Sequence, residues 1–241
     1  MSIAKRVAIA TSATTAAVLP VLLCAALCDA ATAQSFRVTV KARDDIYLAG
    51  QTNLGPFPPY LGYPPPSVTL PVGAQCIIVR KFIGNGRCAS SEGCVTLDYD
   101  ELEGTHYNDP DGVGAAPRIS TNTGTSSTSG IKARYAGYLV GLFTPAGGPN
   151  GPAPAALNFL KGKRTAFEHL APKLDQTFFI GDGLTGDGTG TKQRFSVSAT
   201  AATLYLGISD ASGFKGPPGA YGDNKYAFTV FVHASPDACH G

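Results

Sequence analysis

The stretch from Leu204 to Val232, LYLGISDASGFKGPPGAYGDNKYAFTVFV, decides the fold. Leu204, Leu206 and Ile208 alternate with Tyr205 and Gly207, the period of two expected of a strand with one buried face. Tyr226 to Val232 has the aromatic and β-branched content of a second strand. Between them, Asp210 to Asn224 is crowded with Gly, Pro, Ser and Asp, residues that turn a chain rather than extend it. The predicted local unit is therefore strand, long polar loop, strand.

Similar units recur outward from this point. Phe36, Val38, Val40 and Ala42 alternate with Arg37, Thr39, Lys41 and Arg43, until Asp44-Asp45 interrupts the pattern before Ile46-Tyr47-Leu48. Val68 to Leu70, Cys76 to Val79, Tyr138 to Phe143, Phe178 to Ile180 and Phe195 to Ala199 read as further strands. Six prolines between residues 56 and 66 make a stiff extended loop that cannot lie in a central strand. Residues 84–130 read as loop insertions, including a Ser/Thr/Gly-rich tip at Ser120 to Gly130, and Gly181 to Gly190 as a glycine-rich turn. Leu157 to Leu174 holds the one segment with helical character, limited by Pro172. The pattern predicts an all-β, antiparallel β-sandwich or jelly roll in a single domain over residues 34–241.

Composition supports this and narrows the function. The 241 residues include 29 Gly and 18 Pro but no Trp, and only 15% are charged, which excludes a coiled coil. A formal charge of +2 gives no reason to expect nucleic acid as a partner. Lys5 and Arg6 followed by the apolar run Val7 to Leu27, ending near Ala31-Thr32-Ala33, have the form of a cleaved export signal over residues 1–33. The predicted location is secreted or periplasmic in a bacterium, with no membrane insertion after cleavage. Cleavage removes Cys24 and Cys28 and leaves Cys76, Cys88, Cys94 and Cys239, an even set that suits two disulfides. Three connectivities are open; the preferred one joins Cys88 to Cys94 across a short loop and Cys76 to Cys239. Zinc is the alternative, but no C-x2-C pair exists.

Catalytic templates are missing: no H-E-x-x-H, G-x-S-x-G, P-loop or G-x-G-x-x-G occurs. The acidic group Asp98, Asp100, Glu101 and Glu103 and the four histidines, His106, His169, His233 and His240, read as surface features. The expectation is a protein that is not an enzyme, with a hydrolase or lyase as the minor alternative. The loop between the last two strands carries more chemistry. Asp210, Asp223 and Asn224 bring three hard oxygen donors to one place among glycines that free backbone carbonyls, which is the donor type Ca²⁺ takes.

The segment Gly219-Ala220-Tyr221-Gly222-Asp223-Asn224-Lys225-Tyr226-Ala227-Phe228-Thr229-Val230, preceded by Asp210, resembles the signature of the PA-IL-like family of calcium-dependent galactose-binding bacterial lectins. In that family an Asp precedes G-T-Y-G-N-N-S-G-S-F-S-V. Looser matches lie at Val38 to Gln51 and Ala136 to Val140, and Phe178 to Gly183 with Leu204 to Gly207 and Gly219 to Asn224 resembles a set of exported bacterial proteins that carry this domain. The resemblance implies a β-sandwich in which one Ca²⁺ bridges protein and sugar. Asp210, Asp223 and Asn224 would then supply side-chain oxygens and Ala220 its carbonyl, with a further carbonyl near Asn85 to Arg87. Sugar contacts would fall on Asp210, Asp223, Asn224, Asp109 and Tyr221, and the partner would be a glycan or glycoconjugate.

The chain also departs from the family. Asp109-Pro110-Asp111-Gly112 stands where the lectins have H-P-D-Q, and eight residues separate Asp210 from Gly219 where they have two. Phe214 and Lys215 lie in that longer loop. A second expectation therefore stands beside the lectin: a structural or adhesive extracellular subunit on the same fold, whose strand edges and low charge suit assembly with like subunits.

Overall fold

The structure is a computed structural model that describes residues 32–51, 62–82, 95–96, 107–112, 119–186 and 188–239. Its strands are β1 (Gln34–Lys41), β2 (Ser67–Thr69), β3 (Cys76–Phe82), β4 (Val95–Thr96), β5 (Tyr107–Asn108) and β6 (Ser120–Gly124). There follow β7 (Ser129–Ala133), β8 (Leu139–Thr144), β9 (Leu157–Asn158), β10 (His169–Leu170), β11 (Thr177–Phe179) and β12 (Leu184–Gly186). The last are β13 (Thr189–Lys192), β14 (Arg194–Ser196), β15 (Thr203–Ile208), β16 (Lys215–Gly216) and β17 (Lys225–Ser235). No α-helix occurs among the described residues.

Two sheets make the body. The larger has seven strands in the order β10-β14-β3-β17-β4-β5, with β1 also paired to β17. Strand β17 is long enough to hold several partners, matching Gln34–Lys41 of β1 residue for residue along Ala227–Ala234. The smaller has four strands in the order β11-β8-β15-β2. The alternation of β1 and β17 places Val38, Val40, Phe228, Val230 and Val232 inward, where they share one core with Leu142, Phe143, Phe178, Leu204 and Leu206 of the smaller sheet. Phe178 and Phe195 meet across the sheets with ring centroids 5.2 Å apart.

Strand β8 is buried at all six positions. A strand covered on both faces loses its alternation and reads as a continuous apolar run, as Leu139-Val140-Gly141-Leu142-Phe143 does. Gly141 has a steric reason to be there: a Cβ on it would come within 2.5 Å of the Phe178 ring in the neighbouring strand.

Several expectations need correction. The segment with helical character, Leu157 to Leu174, contains no helix; Gly162 adopts a positive φ, Pro172 denies a backbone donor, and only the short β9 and β10 form there. Ile46–Leu48 is a single 3-10 turn capped by the Asp45 carboxylate, which accepts the Tyr47 N–H. Ser120 to Gly130 is not a loose tip but belongs to a hairpin of β6 and β7, and Gly181 to Gly190 likewise holds β12 and the start of β13, which pair as a hairpin. Turn-rich composition concealed both, because hydroxyl side chains here satisfy backbone groups: Ser129 Oγ accepts the Thr177 N–H at 3.0 Å, and Thr177 Oγ1 donates to Ser129 O at 2.7 Å.

Cys76 and Cys239 form the disulfide preferred from the sequence, with Cα atoms 5.1 Å apart across a separation of 163 residues. Its partner pair, Cys88 and Cys94, lies outside the described residues. So do residues 1–31 of the export signal, residues 56–61 of the proline loop, the acidic group at 98–103, and His106 and His240. No helix among the described residues is long and apolar enough to cross a membrane.

Candidate functional site

Asp210 lies two residues beyond the end of β15, and Asn224 immediately precedes β17. The hairpin-like connection between the two sheets therefore returns these side chains to one place. Asn224 Nδ2 donates to Asp210 Oδ2 at 3.0 Å and to the Ala42 carbonyl at 3.1 Å. With both amide hydrogens held, the orientation of the Asn224 side chain is set, and its Oδ1 is buried without a hydrogen-bond partner among the described residues. A buried carbonyl oxygen left unpaired costs about 1–3 kcal/mol. The arrangement is incomplete as it stands and calls for a donor or a cation at that oxygen.

Asp210 is held from every side. Its Oδ1 accepts the Ala211 N–H at 2.8 Å, and its backbone carbonyl accepts from Asn122 Nδ2 at 2.7 Å and from the Gly219 N–H at 3.2 Å. Asn122 belongs to β6, so the β6-β7 hairpin braces the loop. Burial pushes the Asp210 carboxyl up to about 7, with the charges of Asp223 and Asp45 adding to the rise and the bonds from Asn224 and Ala211 opposing it. Asp223 is exposed, and its field reaches Asp210.

Tyr221, expected as a sugar contact, is fully buried and has no ring face to offer. Its hydroxyl accepts the Asp210 N–H at 3.0 Å and lies 3.0 Å from both Asp45 Oδ1 and Ile208 O, to one of which it gives its single proton. Tyr221 is thus the internal strut of the loop. Gly62 makes room for it: a Cβ there would come within 2.9 Å of Tyr221 Cγ and of Asp45 Cβ, and φ is +53°.

Asp109 is also buried, and its Oδ1 accepts the Asp111 N–H at 2.9 Å in a tight turn. Asp111 in turn accepts the Asp182 N–H at 3.0 Å, and Pro110 O accepts the Leu139 N–H at 2.9 Å. Since Leu139 is paired with Ile208, this turn stands at the same end of the small sheet as Asp210, fastening the start of β8.

The eight residues of the lengthened loop are folded. Ser212–Phe214 makes a 3-10 turn, Ala211 bridges Pro218, and β16 pairs in parallel with Thr121 and Asn122 of β6. Phe214 is partly buried and Lys215 is exposed. Strain gathers here: Phe214, Ala220 and Tyr226, with φ of +60°, +67° and +71°, are three of the five described non-glycine residues in the left-handed region. Such conformations persist where the surroundings over-determine them, and they concentrate at binding sites. At Ala220 the strained backbone belongs to the residue whose carbonyl the resemblance assigns to the metal.

Comparison with protein-family models, with curated proteins and with solved structures finds no match. The functional reading therefore rests on the residues themselves.

The structure adds members that the sequence reading missed. Asp45 and Asp44 are both buried, and burial raises their carboxyls to about 7 and about 6. Asp45 bridges Ile208 of β15 and faces Tyr221, while Asp44 Oδ2 accepts the Lys41 N–H at 2.7 Å. Their signal was present, since two adjacent acids break an otherwise regular strand pattern. Asn122, inside a run that read as a polar tip, carried no signal. Among the described residues no three His, Cys, Asp or Glu side chains gather at metal-binding range. A cation at this loop would accordingly draw on a mixed set of carboxylate, amide and backbone carbonyl oxygens, the set that suits Ca²⁺ and not zinc. The further carbonyl expected near Asn85 to Arg87 lies outside the described residues.

Proposed function

We propose that the protein is an exported, calcium-dependent carbohydrate-binding protein whose Asp210, Asp223, Asn224 and Ala220 carbonyl hold one Ca²⁺ that bridges to a glycan. The observation that carries this reading is the buried Asn224 Oδ1, without a donor beside a carboxylate that burial disfavours in its charged form. Asp210 and Asn224 present oxygens from a rigid frame made by Ala42, Asn122 and Tyr221. Asp223 adds charge from the solvent side, and the strained Ala220 turns the chain between them. Bound Ca²⁺ would supply open coordination positions for vicinal sugar hydroxyls. Such a site is shallow, so tight binding to a surface would draw on several copies or several glycan arms.

A melting experiment tests the metal. The protein stripped with EGTA should melt several degrees lower than the protein in excess CaCl₂, since a ligand at 100 times its Kd adds about 2.7 kcal/mol. An unchanged melting temperature rejects the calcium site. Replacing Asp223 and Asn224 together with Ala should abolish the calcium response.

A second reading has its own support. Tyr221 offers no ring to a sugar, and the lengthened loop is docked on β6 beside the site. These observations favour a structural or adhesive subunit in which Ca²⁺ holds the loop without a glycan. A calcium-dependent rise in melting temperature combined with a blank glycan array, run with and without Ca²⁺, would select this reading over the first.

A further inference from the structure

The seven strands of the large sheet contain six Lys or Arg and no Asp or Glu. The whole chain has 19 Lys and Arg against 17 Asp and Glu, so the remainder holds 13 against 17. The strands of this sheet thus carry cations without carboxylates in a nearly neutral protein.

The pleat puts much of this charge outside. Arg37 and Lys41 of β1 are exposed while Val38 and Val40 are buried, and Arg37 stands opposite Phe231, whose neighbours Val230 and Val232 point into the core. Lys81 of β3 takes the register position on the other side of Phe231. The Arg37 guanidinium lies over the Phe231 ring, 5.9 Å from its centroid, which holds the cation on the sheet surface and covers the aromatic beneath it. Farther across, Arg194 of β14 is partly exposed between Ile78 of β3 and His169 of β10. Hydroxyls fill the spaces: Thr39 faces Thr229, Ser35 Oγ is 3.0 Å from His233 Nδ1, and Ser196 Oγ is 2.7 Å from His169 Nε2.

We propose that this outward face, from Lys41 through Arg37 and Phe231 to Arg194, is a docking surface for an acidic polysaccharide, separate from the calcium site. Charge complementarity selects a polyanion, because the described strands that build the face carry Lys and Arg and no Asp or Glu. The interleaved hydroxyls can exchange hydrogen bonds with sugar hydroxyls between the anionic groups. An anionic membrane fits less well: among the described residues the exposed large apolar side chains Tyr63, Val72 and Ile119 lie outside this sheet, and Tyr226 sits at the loop end of β17, so none of them offers lipid a wedge from this face. Single-stranded nucleic acid needs an open aromatic platform, and Arg37 caps the ring that would provide one. A second copy presenting the same face would meet like charge.

The test is binding of the full chain to immobilised polygalacturonate in EDTA at 20 mM and 200 mM NaCl, with neutral dextran and phosphatidylglycerol vesicles as parallel arms. The expected result is calcium-independent binding to polygalacturonate alone, weakened about tenfold or more by the higher salt. Arg37→Gln/Lys41→Gln and Arg37→Gln/Arg194→Gln should each weaken it severalfold with an unaltered melting temperature, and the corresponding Glu variants should abolish it. Loss of binding in EDTA would assign the glycan to the calcium loop and overturn the proposal. Equal binding to dextran, binding to vesicles only, an absence of binding at low salt, or full affinity in both Gln variants would overturn it as well.

Discussion

Strands β2, β8, β11 and β15 of the small sheet contain no charged residue, while the seven strands of the large sheet contain six Lys or Arg. The difference follows from how many faces water reaches. Strands β8 and β11 are buried at every position, so a charge there would have to be paired or neutralised, at a cost of several kcal/mol. Strands β1 and β17 keep one face in solvent, where Lys and Arg cost almost nothing. One sheet is therefore silent and supplies stability, and the other displays chemistry. The polar cluster lies at the seam: Asp210 follows β15 of the neutral sheet, Asn224 precedes β17 of the charged one, and Ala42 O just past β1 joins them.

Mutations should reproduce this division, most strongly in the neutral sheet. Phe178→Ala removes a ring that touches Phe143 and Phe195 at centroid distances of 5.0 and 5.2 Å, and should cost about 3–5 kcal/mol in urea unfolding. A loss below about 1 kcal/mol would mean that this sheet is not the stabilising one. The seam comes next. Asp45 and Asp210 have folded-state carboxyls raised to about 7 from 3.8, chiefly by burial, so the folded protein binds more protons than the unfolded chain between those values. Stability of the metal-free protein should then fall as pH rises from about 4 to about 7 and level off above. Melting temperatures in EGTA at pH 5 and pH 8 would show it, the pH 8 value being the lower. Added Ca²⁺ should narrow the gap, because it stabilises the deprotonated carboxylate. The smallest effect belongs to the solvent face of the charged sheet, where Arg37→Gln should move stability by less than about 0.5 kcal/mol. A larger loss would make Arg37 a structural residue rather than part of a displayed surface.

Much of this division was legible in the sequence. The alternation in residues 36–43 and 204–208 predicted which side chains face inward, and the unbroken apolar run at 138–143 read as a strand, which the structure buries at every position of β8. Asp210 and Asn224 were found as neighbours although 13 residues lie between them, because the strands that flank them fix the span of the loop. What could not be read was anything decided by a distant partner. Tyr221 reads as an accessible aromatic in a glycine-rich loop, and only the arrival of Asp45 from 176 residues away makes it a buried strut. Ser120 to Gly130 reads as a tip because its hairpin is secured by hydroxyls reaching Thr177 and by Asn122 reaching Asp210, contacts with no local periodicity. Leu157 to Leu174 shows the converse error, an apolar spacing that a positive-φ glycine and Pro172 prevent from becoming a helix.

The position of β17 has a consequence for the order of events during folding. It is the last of the described strands, yet it lies at the centre of the large sheet, and its partners in β1 lie close to 190 positions earlier along the chain. Closing so long a loop must precede any of the contacts that reward it, which places the protein among slow folders of high contact order. The large sheet cannot assemble until nearly all of the polypeptide is available. For a chain proposed to leave the cell, that delay is useful: until β17 emerges, the earlier strands lack their template and the polypeptide stays unfolded enough to be threaded through a translocation pore.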